Sequence, residues 1–320
     1  MSARDFARSN RITDAELRNY EPAAPEDFIK SCAEYDVDVM VSMRKTGLEG
    51  DSLPWVKTQQ NFRLRMGDVT LWHGINGHGK SAITTQVALW LALQGKKCCL
   101  ASFEMPPLRT LERMVKQCAG NPTPSDKFIG EFFVDLCSSL WIYDHQGRVN
   151  PEMLFKAIRY CREKKGITHF FVDSLMKCVP KEDDYGMQAD FVSSLCDLAR
   201  EADMHIHLIH HTRKTGDESK PPGKFDAKGT GGITDQVSNV LAMWRNKAKE
   251  REKEEAARMG QALANEAPDF LLICDKQRNG TWEGNWALWG DPQSWHFREQ
   301  SQVGWTRGYE LPGYKSKDAA

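Results

Sequence analysis

Eight consecutive residues, Gly74-Ile75-Asn76-Gly77-His78-Gly79-Lys80-Ser81, carry the spacing G-x-x-x-x-G-K-[S/T], the pattern of a loop that wraps nucleotide phosphates. Glycines let successive backbone N–H groups turn inward on an anion, and a helix N-terminus behind them adds its partial positive charge. In that scheme Gly74, Asn76, Gly77, His78, Gly79 and Ala82 belong to the cradle. Lys80 reaches the β- and γ-phosphates, and the Ser81 hydroxyl ligates Mg²⁺. The expected ligands are ATP or another NTP, with Mg²⁺.

Two acids have the right setting to act on such a ligand. Phe170-Phe171-Val172-Asp173-Ser174 is an apolar run ending in a carboxylate. At the C-terminal edge of a sheet, Asp173 would hold Mg²⁺ or its water shell. Ser102-Phe103-Glu104-Met105 ends another apolar run; there Glu104 would face the γ-phosphate and orient or deprotonate the attacking water. Ser174, not an acid, follows Asp173, which favours Glu104 as the base. In His207-Leu208-Ile209-His210-His211-Thr212-Arg213, His210 sits where a γ-phosphate sensor would, with His211 as its rival. His207 is read as an ordinary strand residue. A metal site from His205, His207, His210 and His211 lacks an acid or cysteine to complete it.

These residues need a scaffold that alternates strands and helices. Strands are expected at 68–73, 97–103, 139–143, 168–173 and 205–210, with helices at 82–94, 106–119, 151–164 and 188–203. That rhythm implies an α/β fold, a mostly parallel sheet covered on both faces. Further strands are expected at 239–244, 270–275 and 282–289, where shorter connections point to antiparallel pairing at one edge. Residues 27–43 contain a short helix whose apolar positions include Val37, Val39 and Met40. Residues 214–232 lack a hydrophobic period and are expected to form a mobile loop. Residues 246–265 mix both charge signs, as a solvated helix or flexible excursion does. The expected organisation is an arm or linker over 1–54, a nucleotide-binding domain over 55–298 and a polar, fraying tail over 299–320.

Bulk properties narrow the class. Hydrophobic content of 40% over 320 residues supports a real core. With 43 basic against 44 acidic side chains, no global basic field announces a nucleic acid, so any such contact is local or built by assembling copies. Nine cysteines without a C-x-x-C pair suit buried thiols in a reducing cytoplasm. No apolar run is long enough for a bilayer, and no signal-peptide core opens the chain, so a soluble cytoplasmic protein is expected.

Taken together, the GINGHGKS loop, SFEMP, FFVDS, HLIHHTR, FDAKGTGGITDQVSNVLAMWRN and DKQRNGTWEG resemble the replicative hexameric helicases of the DnaB-like group, including bacteriophage helicase–primases. The resemblance covers 55–297 and implies a RecA-like P-loop fold. It also implies that Arg278 is an arginine finger with Lys276 as companion, both reaching the γ-phosphate of a neighbouring subunit. Read without the family, Lys276-Gln277-Arg278-Asn279-Gly280 is a β-hairpin turn. The loop with Lys228, Gly229, Thr230 and Gly231 matches the group's central-channel contact to single-stranded DNA, where lysine and glycine-freed N–H groups would grip phosphates without reading bases. The implied activity is ATP-driven DNA unwinding by a ring, in a bacterial or phage-infected cell, with a separate primase, polymerase or loader as further partners. No primase segment precedes the ATPase, so no primer synthesis is expected. Two other readings remain open: a recombinase or single-strand-binding ATPase that does not unwind, and a regulatory or loader ATPase acting on a protein.

Overall fold

The computed structural model describes residues 32–44, 47–179, 181, 184–212, 220–223, 226, 231–261, 266–291, 293–300, 309 and 311. In chain order its strands are β1 (Val69–Gly74), β2 (Cys98–Ser102), β3 (Leu140–Ile142), β4 (His169–Asp173), β5 (His205–Ile209), β6 (Asn239–Arg245), β7 (Phe270–Gln277), β8 (Gly284–Gly290) and β9 (Phe297–Arg298). They form one sheet in the order β3-β2-β4-β5-β1-β6-β7-β8-β9. The first six are parallel, and β7, β8 and β9 close the edge antiparallel. This is the mostly parallel α/β sheet with an antiparallel edge that the alternation implied.

The helices are α1 (Asp36–Arg44), α2 (Lys80–Leu93), α3 (Pro107–Ala119), α4 (Asp126–Leu136), α5 (Pro151–Lys165), α6 (Tyr185–Glu201), α7 (Gly231–Gln236) and α8 (Lys247–Arg258). Their starts follow local chemistry. Asn150 accepts from the N–H groups of Glu152 (2.8 Å) and Met153 (3.3 Å), with Pro151 in the first turn of α5. Ser125 caps α4 and Asn246 caps α8 in the same way. Helix α2 is apolar nearly all round and is buried accordingly. On one face of the sheet α2, α3 and α4 pack with Trp72, Leu100 and Phe171. On the other, α5, α6 and α7 pack with Leu71, Phe170 and Leu208.

The sequence reading missed α4, whose buried Phe128, Phe132 and Leu136 recur every fourth residue. The charged stretch 246–265 contains a true helix, α8. The apolar positions of α1 named in the sequence, Val37, Val39 and Met40, are exposed, as is Met43.

Packing extends beyond 55–298. Leu53 is fully buried, and Asp51 bridges to Leu64. In the tail, where fraying was expected, the Tyr309 N–H donates to Cys118 O (2.7 Å) and its hydroxyl accepts from Gln86 Nε2 (2.9 Å). Leu311 lies in the α2-side core. Apolar area covered late in the chain stabilises as any core does, so Leu311→Ala should lower unfolding stability by about 2–3 kcal/mol, read as a lower denaturant midpoint at unchanged m-value. Among the described residues no helix is long and apolar enough to cross a membrane.

Candidate nucleotide site

Sheet register brings the chemistry-bearing residues to one edge. Ser102 of β2 stands opposite Asp173 of β4, Asp173 opposite Ile209 of β5, and Ile209 opposite Trp72 of β1. Glu104, Asp173, His210 and Gly74 therefore leave four adjacent strands within two residues of one row. In an open α/β sheet this C-terminal edge is where ligands bind.

The loop's glycines have geometric reasons. A Cβ on Gly74 would run into the Met243 carbonyl oxygen, and Gly77 and Gly79 have φ of 79° and 91°. Asn76 and Gly77 are exposed at the tip. The buried His78 ring anchors the loop by accepting the Arg245 N–H (3.0 Å). Lys80 Nζ folds back and donates to Gly74 O (2.8 Å) and Ile75 O (3.1 Å). Burial brings its pKa down to about 8, against the pull of Asp173 and Glu104. An arriving phosphate offers this ammonium better acceptors than its own loop carbonyls.

Ser81 donates from its hydroxyl to Asp173, whose pKa is raised by burial despite that bond. The two residues border a cavity of about 20 Å³ together with Thr84, Ser102, Met105 and Arg113. Ser81 and Asp173 offer only oxygen donors, which fits Mg²⁺ better than a softer metal. Glu104 Oε1 accepts from Ser174 Oγ (2.8 Å) and lies 3.8 Å from His211 Nε2. His211 and then Ser174 hold its carboxyl at about 2, although burial works the other way. The imidazole beside the carboxylate is thus that of His211, while His210 is fully buried. His205 and His207 lie buried among the strands, bonded to Arg65 O and to Trp72. Among the described residues no group of three His, Cys, Asp or Glu side chains is arranged to hold a metal ion.

Arg113 was not anticipated. With Thr110 and Gln117 it makes a polar stripe at helical spacing on α3, facing α2: Gln117 Nε2 donates to Ala82 O (2.7 Å), and Gln117 Oε1 accepts from Thr85 (3.0 Å). Burial lowers the pKa of Arg113, and Asp173 counteracts this. That buried polar stripe was the available signal. Beside the phosphate loop a second cavity, about 310 Å³, was also missed. It is lined by Phe270, Phe297, Trp295 and Arg245, with α8 along one side. Arg245 Nη1 reaches Gly77 O (3.3 Å), so the cavity begins where the loop ends. Its size and aromatic lining suit a nucleoside.

Arg278 stands elsewhere. Its N–H donates to Ser238 O, and Ser238 N–H to Val69 O, so it is level with the start of β1, five residues from Gly74. At about 3.3 Å per residue that is roughly 16 Å, too far for its guanidinium to reach this protomer's own loop. Lys276 Nζ donates to Thr234 O, Asp235 O and Val237 O. Lys228, Gly229 and Thr230 lie outside the described residues; Gly231 is the first residue of α7.

Comparison with known proteins agrees with this architecture. A DnaB-like replicative helicase, solved in a study of its interactions with primase, superposes with a TM-score of 0.68 over 84% of this chain and 68% of its own, at 15% identity. A second solved structure, consisting of an ATPase domain alone, gives a TM-score of 0.67 over 86% of this chain and all of its own, also at 15% identity. The fold is therefore that of RecA-like helicase motor domains. A family model described as an AAA domain matches residues 52–217, which include Lys80, Glu104 and Asp173. With just over half of its length inside that match, the chain belongs to the AAA domain family.

Proposed function

We propose that this chain is an ATP-driven DNA helicase motor that moves along single-stranded DNA as a ring, hexameric by resemblance, with ATP hydrolysed between subunits. The observation that carries the reading is the split site. Loop, acids and Arg113 converge at one end of the sheet, while Arg278, which the resemblance implies is an arginine finger, stands about 16 Å away at the other. A head-to-tail interface between copies brings the two halves together, and repetition of such an interface closes a ring.

In this reading the backbone from Gly74 to Ala82 and Lys80 hold the phosphates. Ser81 and Asp173 would hold Mg²⁺, which supplies charge neutralisation on the phosphate oxygens. The aromatic cavity beside Gly77 takes the base. Glu104, ionised throughout the physiological range, aligns the attacking water as acceptor. His210, or its rival His211 beside Glu104, reports on the γ-phosphate, and Arg278 completes the site from the next subunit. Lys228 with Gly229, Thr230 and Gly231 grips the DNA backbone. The apolar side chains that α1 exposes suit docking of the 1–54 arm on an adjacent copy. A soluble cytoplasmic setting fits these roles.

Glu104→Gln should keep nucleotide affinity within a few-fold and lower turnover by about 10²-fold or more, as judged by fluorescent-nucleotide titration beside phosphate release. Lys228→Ala should remove most of the stimulation of ATP turnover by single-stranded DNA, because a point charge on the phosphate backbone is lost. The deciding assay is ATP-dependent unwinding of a forked duplex. Turnover unaffected by DNA, with no strand separation, would overturn the reading.

A further inference from the structure

Strand β7 departs from regular alternation at one point. Val240 of β6 stands opposite Lys276, but Leu241 stands opposite Cys274, leaving Asp275 as an extra residue. A bulge of this kind resets which face later side chains take. Cys274 packs on the α2 side of the sheet. Strict alternation would send Lys276 to the same side. Instead Lys276 and Arg278 both face α7, and Gln277 turns to the α2 side, where its amide donates to Asn61 O (3.0 Å).

What they meet there is a helix end. The last carbonyls of a helix have no intrahelical partner, and a cation at that end is further favoured by the helix dipole. An ammonium has three donors, and Lys276 spends them on Thr234 O (2.8 Å), Asp235 O (2.9 Å) and Val237 O (2.9 Å). Arg278 Nη2 adds longer contacts, 3.3 Å each, to Asp235 O and Gln236 O. The lysine is committed within its own protomer, whereas the arginine is loosely held and keeps further donors.

We propose that Lys276 is a positioning residue, a clamp that ties the C-terminal turn of α7 to strand β7 so that α7 and Arg278 move as one body. The consequence rests on the proposed function. Helix α7 begins at Gly231, the end of the segment assigned to DNA, so a shift imposed by DNA passes through the clamp to the arginine that completes the neighbour's ATP site. The bulge at Asp275 is what makes this link, because it alone turns both cations to the α7 face.

The test is amide hydrogen exchange on the full chain, free of nucleotide and DNA. In Lys276→Met, amides of 233–238 should exchange about tenfold faster or more, with β4 and β5 unchanged. Lys276→Arg should recover part of the protection through its fork, and Arg278→Ala should have a much smaller effect. If Lys276→Met does not fold, Lys276→Gln, which removes the charge and shortens the reach, is read the same way. Unchanged exchange in 233–238, or an Arg278→Ala effect as large as that of Lys276→Met, overturns the clamp. Because nucleotide and DNA are absent, this outcome is independent of whether the protein unwinds a duplex.

Discussion

Mixing an Arg278→Ala protomer with a Lys80→Ala protomer should restore ATP turnover that neither variant shows alone. The first keeps an intact phosphate loop but brings no guanidinium to its neighbour. The second cannot hold phosphate but still presents Arg278. A trans-acting arginine contributes about 10³–10⁵ in turnover at related phosphoryl-transfer sites, so each variant alone should fall by at least about 10³. Random co-assembly leaves about one interface in four with Lys80 on one side and Arg278 on the other. Turnover should therefore climb to a sizeable fraction of the unmodified level, peak near equal mixing, and vanish on dilution below assembly. The geometry behind this is the separation along β1: Arg278 is level with Val69, through Ser238, while the loop starts at Gly74. No recovery at any ratio, in a mixture shown to co-assemble, would place the arginine outside the ATP site. Full turnover in dilute monomer would do the same.

The phosphate loop, Asp173 and Glu104 were legible because each ends an apolar run, and a parallel sheet aligns such ends at one edge whatever the details of packing. Arg113 was not, because one arginine on an amphipathic helix resembles a solvated one. Only its stripe with Thr110 and Gln117, both buried, distinguishes it. The aromatic cavity was illegible for a different reason: Phe270, Trp295 and Phe297 come from separate elements, and 246–265 was read as a solvated helix or flexible excursion, not as the wall of a site. Similarly, the facing of Lys276 and Arg278 depends on a single extra residue in β7, which period-two reading cannot detect. In α1 the apolar Val37, Val39 and Met40 are exposed and find no cover among the described residues, as an arm that packs on another surface would.

Lowering the pH from 7.5 to 5 should destabilise the protein, because its sheet encloses imidazoles that burial holds neutral. Trp72 Nε1–H donates to His207 Nδ1 (3.2 Å), which assigns the His207 proton to Nε2, 3.2 Å from His169 Nδ1. His169 must then carry its proton on Nε2, which meets Asp51 Oδ2 at 3.0 Å. His205 donates from Nδ1 to Arg65 O (2.6 Å) and accepts at Nε2 from Thr70 (2.9 Å), whose oxygen accepts from Asn239 Nδ2 (3.0 Å). Every ring nitrogen is thus used once, as donor or as acceptor, and an added proton on His207 Nδ1 or His169 Nδ1 would set donor against donor, facing the Trp72 and His207 N–H groups. Burial lowers the pKa of all three, that of His205 to about 3. The sign follows from linkage. Unfolded histidines take up protons below about 6.5 while the buried ones do not, so stability is full above that pH and falls as pH drops toward the folded values. His205, neutral down to about 3, weakens folding about tenfold per pH unit below about 6.5, removing about 1.4 kcal/mol by pH 5.5 and about 2 kcal/mol by pH 5, and His207 and His169 act in the same direction. That is a sizeable fraction of the stability of an ordinary domain. Asp51, pushed up by burial but brought to about 2 by His169 and Lys96, stabilises above about 3.8 and loses that contribution only below it, outside this window. Denaturant titrations at pH 7.5, 6.5 and 5.5 should show a falling midpoint at constant m-value. A stability flat across that range would mean that these imidazoles are not held neutral by the fold.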